Sequence, residues 1–297
     1  MQILDVSAAS APVTVIPPAN SNAIPLVCDS PHSGTAYPPD FGYAVASAEL
    51  RRSEDTHVQW LWDAVPEVGG TLIHASFPRS YIDPNRSEDD INNEMLVDGW
   101  PGSTAPTERT LKLGMGLVPS HTPTGQPIYA RRLTSHEVAH RIQHYWKPYQ
   151  QALTHALQSA NSGGPRWHLN LHSMPSNAYE RLGQVAPGPL ADVVLGDLHG
   201  LSCSGEFTHR VADAFRRRGY RVSVNDPYAG QALLRRFGNP TLRHESLQIE
   251  LNRALYLNEQ TRELLPDASQ VRADITDLLN EIAKQIRHDC SALSASH

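Results

Sequence analysis

Apolar and polar positions alternate along Trp167-His168-Leu169-Asn170-Leu171-His172. That period predicts a strand with one buried face, stopping at Ser173-Met174-Pro175 because proline cannot continue a ladder. Further short strands are predicted at Ile24–Cys28, Thr71–Ala75, Ala191–Leu195, Tyr220–Val224 and Leu247–Leu251. Between them the period lengthens to that of helices. Ser47–Val65 places Leu50, His57, Leu61 and Val65 near one another on one face. Leu133–Ser159 is the longest helical pattern, with Val138, Ile142, Tyr145, Tyr149 and Leu153 in step, Ser135 shortly before Glu137 at its start, and Pro148 expected to kink it. Phe207–Arg218 ends at Gly219, and Val271–Ile286 reads as a closing amphipathic helix. The run Asn161-Ser162-Gly163-Gly164-Pro165 separates the long helix from the first strand described.

Strands alternating with helices predict an α/β sheet covered on both faces. No linker or internal repeat interrupts the pattern, so one domain is expected over residues 24–297. An Ala-, Ser- and Pro-rich extended segment over residues 1–23 is expected to run along the surface before it. Residues 87–127 are polar, rich in Gly and Pro, and without a sustained period. That length is unusual for a passive connection and predicts a functional excursion over a site.

Composition narrows the partners. The chain has 297 residues, 40% hydrophobic and 19% charged, which suits a globular protein rather than a disordered one. A formal net charge of −6 leaves no basic footprint for nucleic acid and favours a small-molecule ligand. Cys28, Cys203 and Cys290 are scattered and odd in number, so neither a disulfide framework nor a cysteine metal motif is expected, and a reducing compartment fits. No apolar run reaches the roughly 18 residues needed to cross a bilayer. The first residues lack the basic and apolar blocks of a secretory signal, so a cytoplasmic location away from membranes is expected.

Three constellations carry chemistry. His32, in Asp29-Ser30-Pro31-His32-Ser33-Gly34, and His172 are each expected just beyond a strand, where open α/β sheets place their ligands. A catalytic zinc site takes three side chains, often two His and one carboxylate, and Glu54 and Asp55 are both candidates for the third. Arg79 and Arg86 flank Asp83-Pro84-Asn85 after another strand. Such arginines can clamp a carboxylate or stabilise an oxyanion; the plainer reading is a surface pair with Asp83 as salt-bridge partner. Gln248, Glu250 and Asn252 share one strand face, opposite Ile249 and Leu251. Turned to a metal site, Glu250 can act as a general base; turned outward, the face is merely exposed.

These pieces together resemble the N-formylglutamate amidohydrolases, which are related to the zinc carboxypeptidase and aspartoacylase group. The matching stretches are Ser30–Gly34, Ser53–Val58, Arg79–Arg86, Leu169–Met174, Asn225–Gly230 and Gln248–Tyr256, in the family's order. The resemblance implies a phosphorylase/hydrolase-like α/β fold with a mixed, mostly parallel sheet, and hydrolysis of an N-formyl or N-acyl acidic amino acid. It implies Zn2+, or another divalent transition metal, on His32, Asp55 and His172. It also implies Glu250 as general base, Arg79 at the scissile carbonyl, Asn85 and Arg86 on a substrate carboxylate, and Tyr228 lining the pocket. A zinc carboxypeptidase or another N-acyl-amino-acid deacylase on the same fold is the nearest alternative, and a non-catalytic metal- or ligand-binding relative the next. The chain departs from the family pattern twice: Asn170 and Gln59 stand where Asp is common. His57 is read as a helix-surface residue, His199 as a loop residue, Cys203 as no nucleophile, and His136, His140 and His144 as a solvated stripe.

Overall fold

The computed structural model describes residues 11–161 and 163–294, so the first ten residues of the N-terminal segment and Ser162 of the predicted turn lie outside the described residues. Its strands are β1 (Val13–Ile16), β2 (Leu26–Ser30), β3 (Thr71–Ala75), β4 (Arg166–Met174), β5 (Val193–Gly196), β6 (Val222–Val224) and β7 (His244–Asn252). They form one sheet in the order β1-β3-β2-β4-β7-β5-β6. Strands β3, β2, β4 and β7 run parallel, β1 is antiparallel to β3, and β5 is antiparallel to β7 but parallel to β6. The helices are α1 (Ser47–Arg51), α2 (Val58–Leu61), α3 (Glu108–Leu113), α4 (Ser135–Arg141), α5 (Lys147–Ala160), α6 (Ala178–Arg181), α7 (Gly205–Arg216), α8 (Ala232–Phe237) and α9 (Ala268–Ser294).

Helices cover both faces, as expected. On one face Leu26, Cys28, Leu169, Leu171, Leu247 and Ile249 pack with Leu61 of α2, Phe215 of α7 and Leu279 of α9. On the other, Val27 and Ile73 pack with Tyr149 and Leu153 of α5 and Leu233 and Phe237 of α8. The alternation along β4 therefore does not mark a solvated face: every residue from Trp167 to Met174 is buried. Its polar positions survive there because each finds a partner, as buried polar groups must. Tyr149 Oη donates to Asp29 Oδ2 at 2.6 Å, and His168 bridges Asp29 Oδ1 and Ser246 Oγ at 2.7 Å each. In register, Asp29 stands beside Asn170, His168 beside Ser246, and His172 beside Glu250. A polar row thus crosses β2, β4 and β7 and runs toward their C-terminal ends.

Tertiary structure alters several expected elements. Strand β2 begins two residues later than predicted, and β4 and β7 are longer, so His172 lies inside β4 rather than beyond it. The expected helix over Ser47–Val65 is broken. Leu50 packs on one side of the sheet and Leu61 and Val65 on the other, so the chain must cross between faces there. His57, in the left-handed region at φ 66°, starts the second piece. The long pattern from Leu133 becomes α4, a π-helical turn at Ile142–Trp146, and α5. Pro148 cannot donate to the carbonyl one turn back, and the widened turn before it accommodates that loss without ending the helix. Its N-terminus is capped by Thr134, whose hydroxyl and Glu137 form a reciprocal capping box. Val13–Ile16 of the expected surface segment joins the sheet as an edge strand. The 87–127 excursion is anchored rather than structureless: Ile91, Leu96 and Leu117 are buried, and Asp90 accepts hydrogen bonds from Thr107 and Thr110 around α3.

Tyr149→Phe removes one donor from the buried Asp29 carboxylate. We expect a loss of about 1–3 kcal/mol, read as a lower urea midpoint with an unchanged m-value.

Candidate active site

The turn after β2 carries His32. It passes so close to the loop after β3 that a Cβ on Gly34 would run into the carbonyls of Ser76 and Phe77, which is why glycine stands there. That second loop brings Asp83 beneath His32. The break between α1 and α2 lowers Asp55 into the same place, with its N–H donating to His32 O at 2.9 Å. Strand β4 delivers His172, and β7 delivers Glu250 beside it.

His32, Asp55 and His172 are the one group of this kind among the described residues: one ligand atom from each lies within 4.8 Å of the others, and all three residues are buried. Of the two carboxylates left open by the sequence, Asp55 is the one that converges; Glu54 is buried elsewhere, accepting from Tyr37 Oη at 2.6 Å. His32 Nε2–H donates to Asp83 Oδ1 at 2.7 Å. Its other nitrogen, Nδ1, is buried with no hydrogen-bond partner and lies 3.5 Å from Asp55 Oδ2. His172 presents Nδ1 to the same oxygen at 2.9 Å, while its Nε2 meets Asn170 Oδ1 at 2.7 Å. Both imidazoles are thus fixed from behind on Nε2 and aim Nδ1 at one point. An orphaned buried nitrogen, two oriented imidazoles and an ionised carboxylate fit a divalent transition metal.

Electrostatics agree with that geometry. Burial alone would raise the Asp55 carboxyl, but the His172 and His32 imidazoles and Arg253 outweigh it and hold the group well below its ordinary range. Asp83 is likewise held well below: burial opposes ionisation, and the charges of Arg79, His32 and Arg86 overcome it. Glu250 moves the other way. Burial pushes it up to about 7 and the Asp55 charge adds to the effect, against the charges of His172, Arg253 and Arg79. The two neighbouring carboxyl groups are thus pushed in opposite directions, Asp55 kept ionised and Glu250 raised towards neutrality.

The remaining expected site residues line the same cavity, though several are already engaged. Arg79 donates to Asp83 Oδ2 at 2.6 Å, so the pairing read as the plainer alternative is present inside the site. Asn85 holds the structure together: its Oδ1 accepts from Leu233 N–H at 3.1 Å, and its Nδ2 lies 3.3 Å from Asn170 Oδ1 and 3.1 Å from His172 Nε2. Arg86 donates to Met115 O and Asn85 O at 3.0 Å each, and burial lowers it to about 10. Tyr228 also lines the cavity; burial, then the Glu250 charge, push its phenol up to about 12. The strand face of Gln248 and Glu250 is buried, with Gln248 Nε2 donating to Glu250 Oε1 at 3.0 Å.

Sequence reasoning passed over Arg253 and Arg109, and read Asp83 only as a salt-bridge partner of the arginines, not as the group that holds His32. Arg253 donates to Asp55 Oδ1 at 2.8 Å and to Ser173 Oγ at 3.1 Å, neutralising the central carboxylate. It stood in the quoted Gln248–Tyr256 stretch, yet nothing in a strand period reveals a charge that turns back. Arg109 comes from the excursion and has no motif around it. Other residues stay apart from the cavity. His57 is half-buried, with Nε2 at 3.2 Å from Arg262 O, and His199 is exposed in a left-handed turn. His140 and His144 stack at 4.2 Å with His144 solvent-exposed, and Cys203 is buried with its thiol pushed up by burial. Gln59 lies on α2, with Oε1 buried and unpartnered.

Fold and site define an α/β protein in which a buried His-Asp-His group and a second carboxylate, Glu250, share one cavity. Residues 24–257 match the model of the N-formylglutamate amidohydrolase family, and the chain belongs to that family. The chain is similar to the crystal structure of N-formylglutamate amidohydrolase from Ralstonia eutropha JMP134, with 51% identity, a TM-score of 0.91, and 94% of this chain and 99% of that one covered. It is 27% identical to the N-formylglutamate deformylase of Pseudomonas aeruginosa, covering 89% of this chain and 91% of that protein. It is 25% identical to the N-formylglutamate deformylase of Pseudomonas putida, covering 80% and 83% respectively. Among the described residues no helix is long and apolar enough to cross a membrane.

Two substitutions test the construction of the site. Asp83→Asn weakens the hold on His32 and should lower affinity for Zn2+ by about 10- to 100-fold in calorimetric titration. Gly34→Ala must displace the His32 turn, so it should lower both thermal stability and Zn2+ affinity; a variant with wild-type values in both would show that the close approach is not needed.

Proposed function

We propose that the protein is a metal-dependent amidohydrolase that cleaves N-formyl-L-glutamate, or a close N-acyl acidic amino acid, to formate and the free amino acid. The observation that carries this reading is Glu250, buried and raised to about 7, in one cavity with the His32-Asp55-His172 group and several arginines. The names of the similar proteins support the substrate. A divalent transition metal on those three residues would supply a Lewis acid, polarising the scissile carbonyl and acidifying water.

The chain's own groups do the rest. Glu250 as carboxylate takes a proton from the attacking water and returns it to the leaving nitrogen, so that a C–O bond forms as the C–N bond breaks. Arg79, held in place by Asp83, stabilises the negative charge that develops on the carbonyl oxygen. Arg86 takes a substrate carboxylate, with Asn85 fixing its loop against His172. Tyr228, kept protonated by its surroundings, closes the pocket as a hydrogen-bond donor.

Glu250→Gln should retain metal and lose at least about a hundredfold in kcat, given the size of general-base contributions. Full activity in that variant would remove Glu250 from the mechanism. The base must be deprotonated, so activity should fall as pH drops through the Glu250 pKa. A bound cation favours the carboxylate, so the limb should lie between an ordinary glutamate, near 4.5, and about 7. A profile flat across that window would contradict the assignment. A screen of the metal-loaded protein over N-formyl, N-acetyl and peptide substrates separates this reading from a carboxypeptidase or another deacylase; no turnover on any of them would leave only a binding role.

A further inference from the structure

Six arginines line the catalytic cavity: Arg52, Arg79, Arg86, Arg109, Arg181 and Arg253. Four have a carboxylate within 4.0 Å: Arg52 has Glu49, Arg79 has Asp83, Arg86 has Asp90, and Arg253 has Asp55. Among the described residues Arg109 and Arg181 have none. Arg181, on α6, is tied by its Nε to Asn177 Oδ1 at 3.0 Å. Arg109, on α3, is less satisfied: its Nε is buried without any hydrogen-bond partner, and its Nη2 reaches only Met115 Sδ, at 3.6 Å. A half-buried guanidinium without a counter-charge carries a desolvation cost that an anionic group entering the cavity would offset. It lines the same cavity as Arg79, Tyr228 and Glu250.

Arg86, through Met115 O and Asn85 O, is already half-engaged, and the assignments above use it for one substrate carboxylate. A glutamyl substrate carries two. We propose that Arg109 is the specificity residue for the second carboxylate, so that the 87–127 excursion selects N-formyl dicarboxylic amino acids over neutral ones. This inference rests on the reading of the cavity as an N-formyl-amino-acid hydrolase site. The residue is presented by a short helix whose position depends on the buried Asp90, which accepts from Thr107 N–H at 2.8 Å, so selectivity is built into an anchored segment.

The test compares the metal-loaded wild type with Arg109→Gln, Arg109→Lys and Arg181→Gln, on N-formyl-L-glutamate and on N-formyl-L-norvaline, which lacks the second carboxylate. Glutarate binding by calorimetry provides a readout independent of turnover. Arg109→Gln should raise KM for N-formyl-L-glutamate about 10- to 100-fold and weaken glutarate to a similar degree, the size of a lost charge-assisted hydrogen-bond pair. It should leave kcat/KM for N-formyl-L-norvaline within about threefold, and Arg109→Lys should recover part of the loss. Equal losses on both substrates, or a carboxylate-selective loss in Arg181→Gln but not in Arg109→Gln, would overturn the assignment. If the wild type cleaves neither substrate, the hydrolase reading fails by itself, while glutarate binding still decides whether Arg109 holds a carboxylate.

Discussion

Asp55 is a carboxylate removed from water, and a buried charge survives only when other groups replace its hydration. Arg253 supplies the counter-charge, and two imidazoles converge on its other oxygen. Much of the architecture serves that convergence. The helix expected over Ser47–Val65 is broken so that Asp55 can descend, the turn after β2 is pressed against the loop after β3 so that His32 meets Asp83, and β4 runs on to Met174 with His172 inside it. Each device costs regular hydrogen bonding or conformational freedom. Each is held in place by the packed sheet on either side.

The same requirement explains Asn170. Its Nδ2 donates to Asp29 Oδ1 at 2.8 Å, and its Oδ1 accepts from His172 Nε2. An amide can face a carboxylate on one side and an imidazole N–H on the other. An aspartate there would set a second acceptor against Asp29, which burial would otherwise raise but whose bonds from His168, Tyr149 and Asn170 keep it low. The charge that the family often places at this position is therefore supplied one step further back, by Asp29, and reaches His172 through the amide. The ring is still fixed with Nδ1 facing the site, so this departure is compatible with metal binding.

The chain's arginines show a division between structure and recognition. Arg253 and Arg79 are paired with the carboxylates that build the site, and Arg141, away from it, is buried against the Tyr81 ring at 4.2 Å, donating to Tyr81 O and Tyr129 Oη. Arg109 has no such partner. A cavity whose own negative charges are nearly all engaged, and which still presents cationic groups, is suited to an anionic substrate.

Much of this was legible in the residues themselves. The alternation at Trp167–His172 and at Leu247–Leu251 located two central strands, because side chains on a strand point to opposite faces whatever covers them. The motifs around His32, Asp55, Arg79, His172 and Glu250 named the groups that converge. What the period could not reveal was the cover: a buried polar row and a solvated face have the same alternation, and only the placement of α5 and α8 distinguished them. Nor could it reveal the break at Asp55, since Leu50 and Leu61 keep helical spacing while packing on opposite sides of the sheet. Asp83 behind His32, Arg253 across from Asp55, and Arg109 from the excursion are contacts between distant segments. The sequence by itself determined the strands from β2 to β7 and the chemical groups this protein has; tertiary packing drew β1 into the sheet and decided which of those groups lose their water, and hence which must find one another.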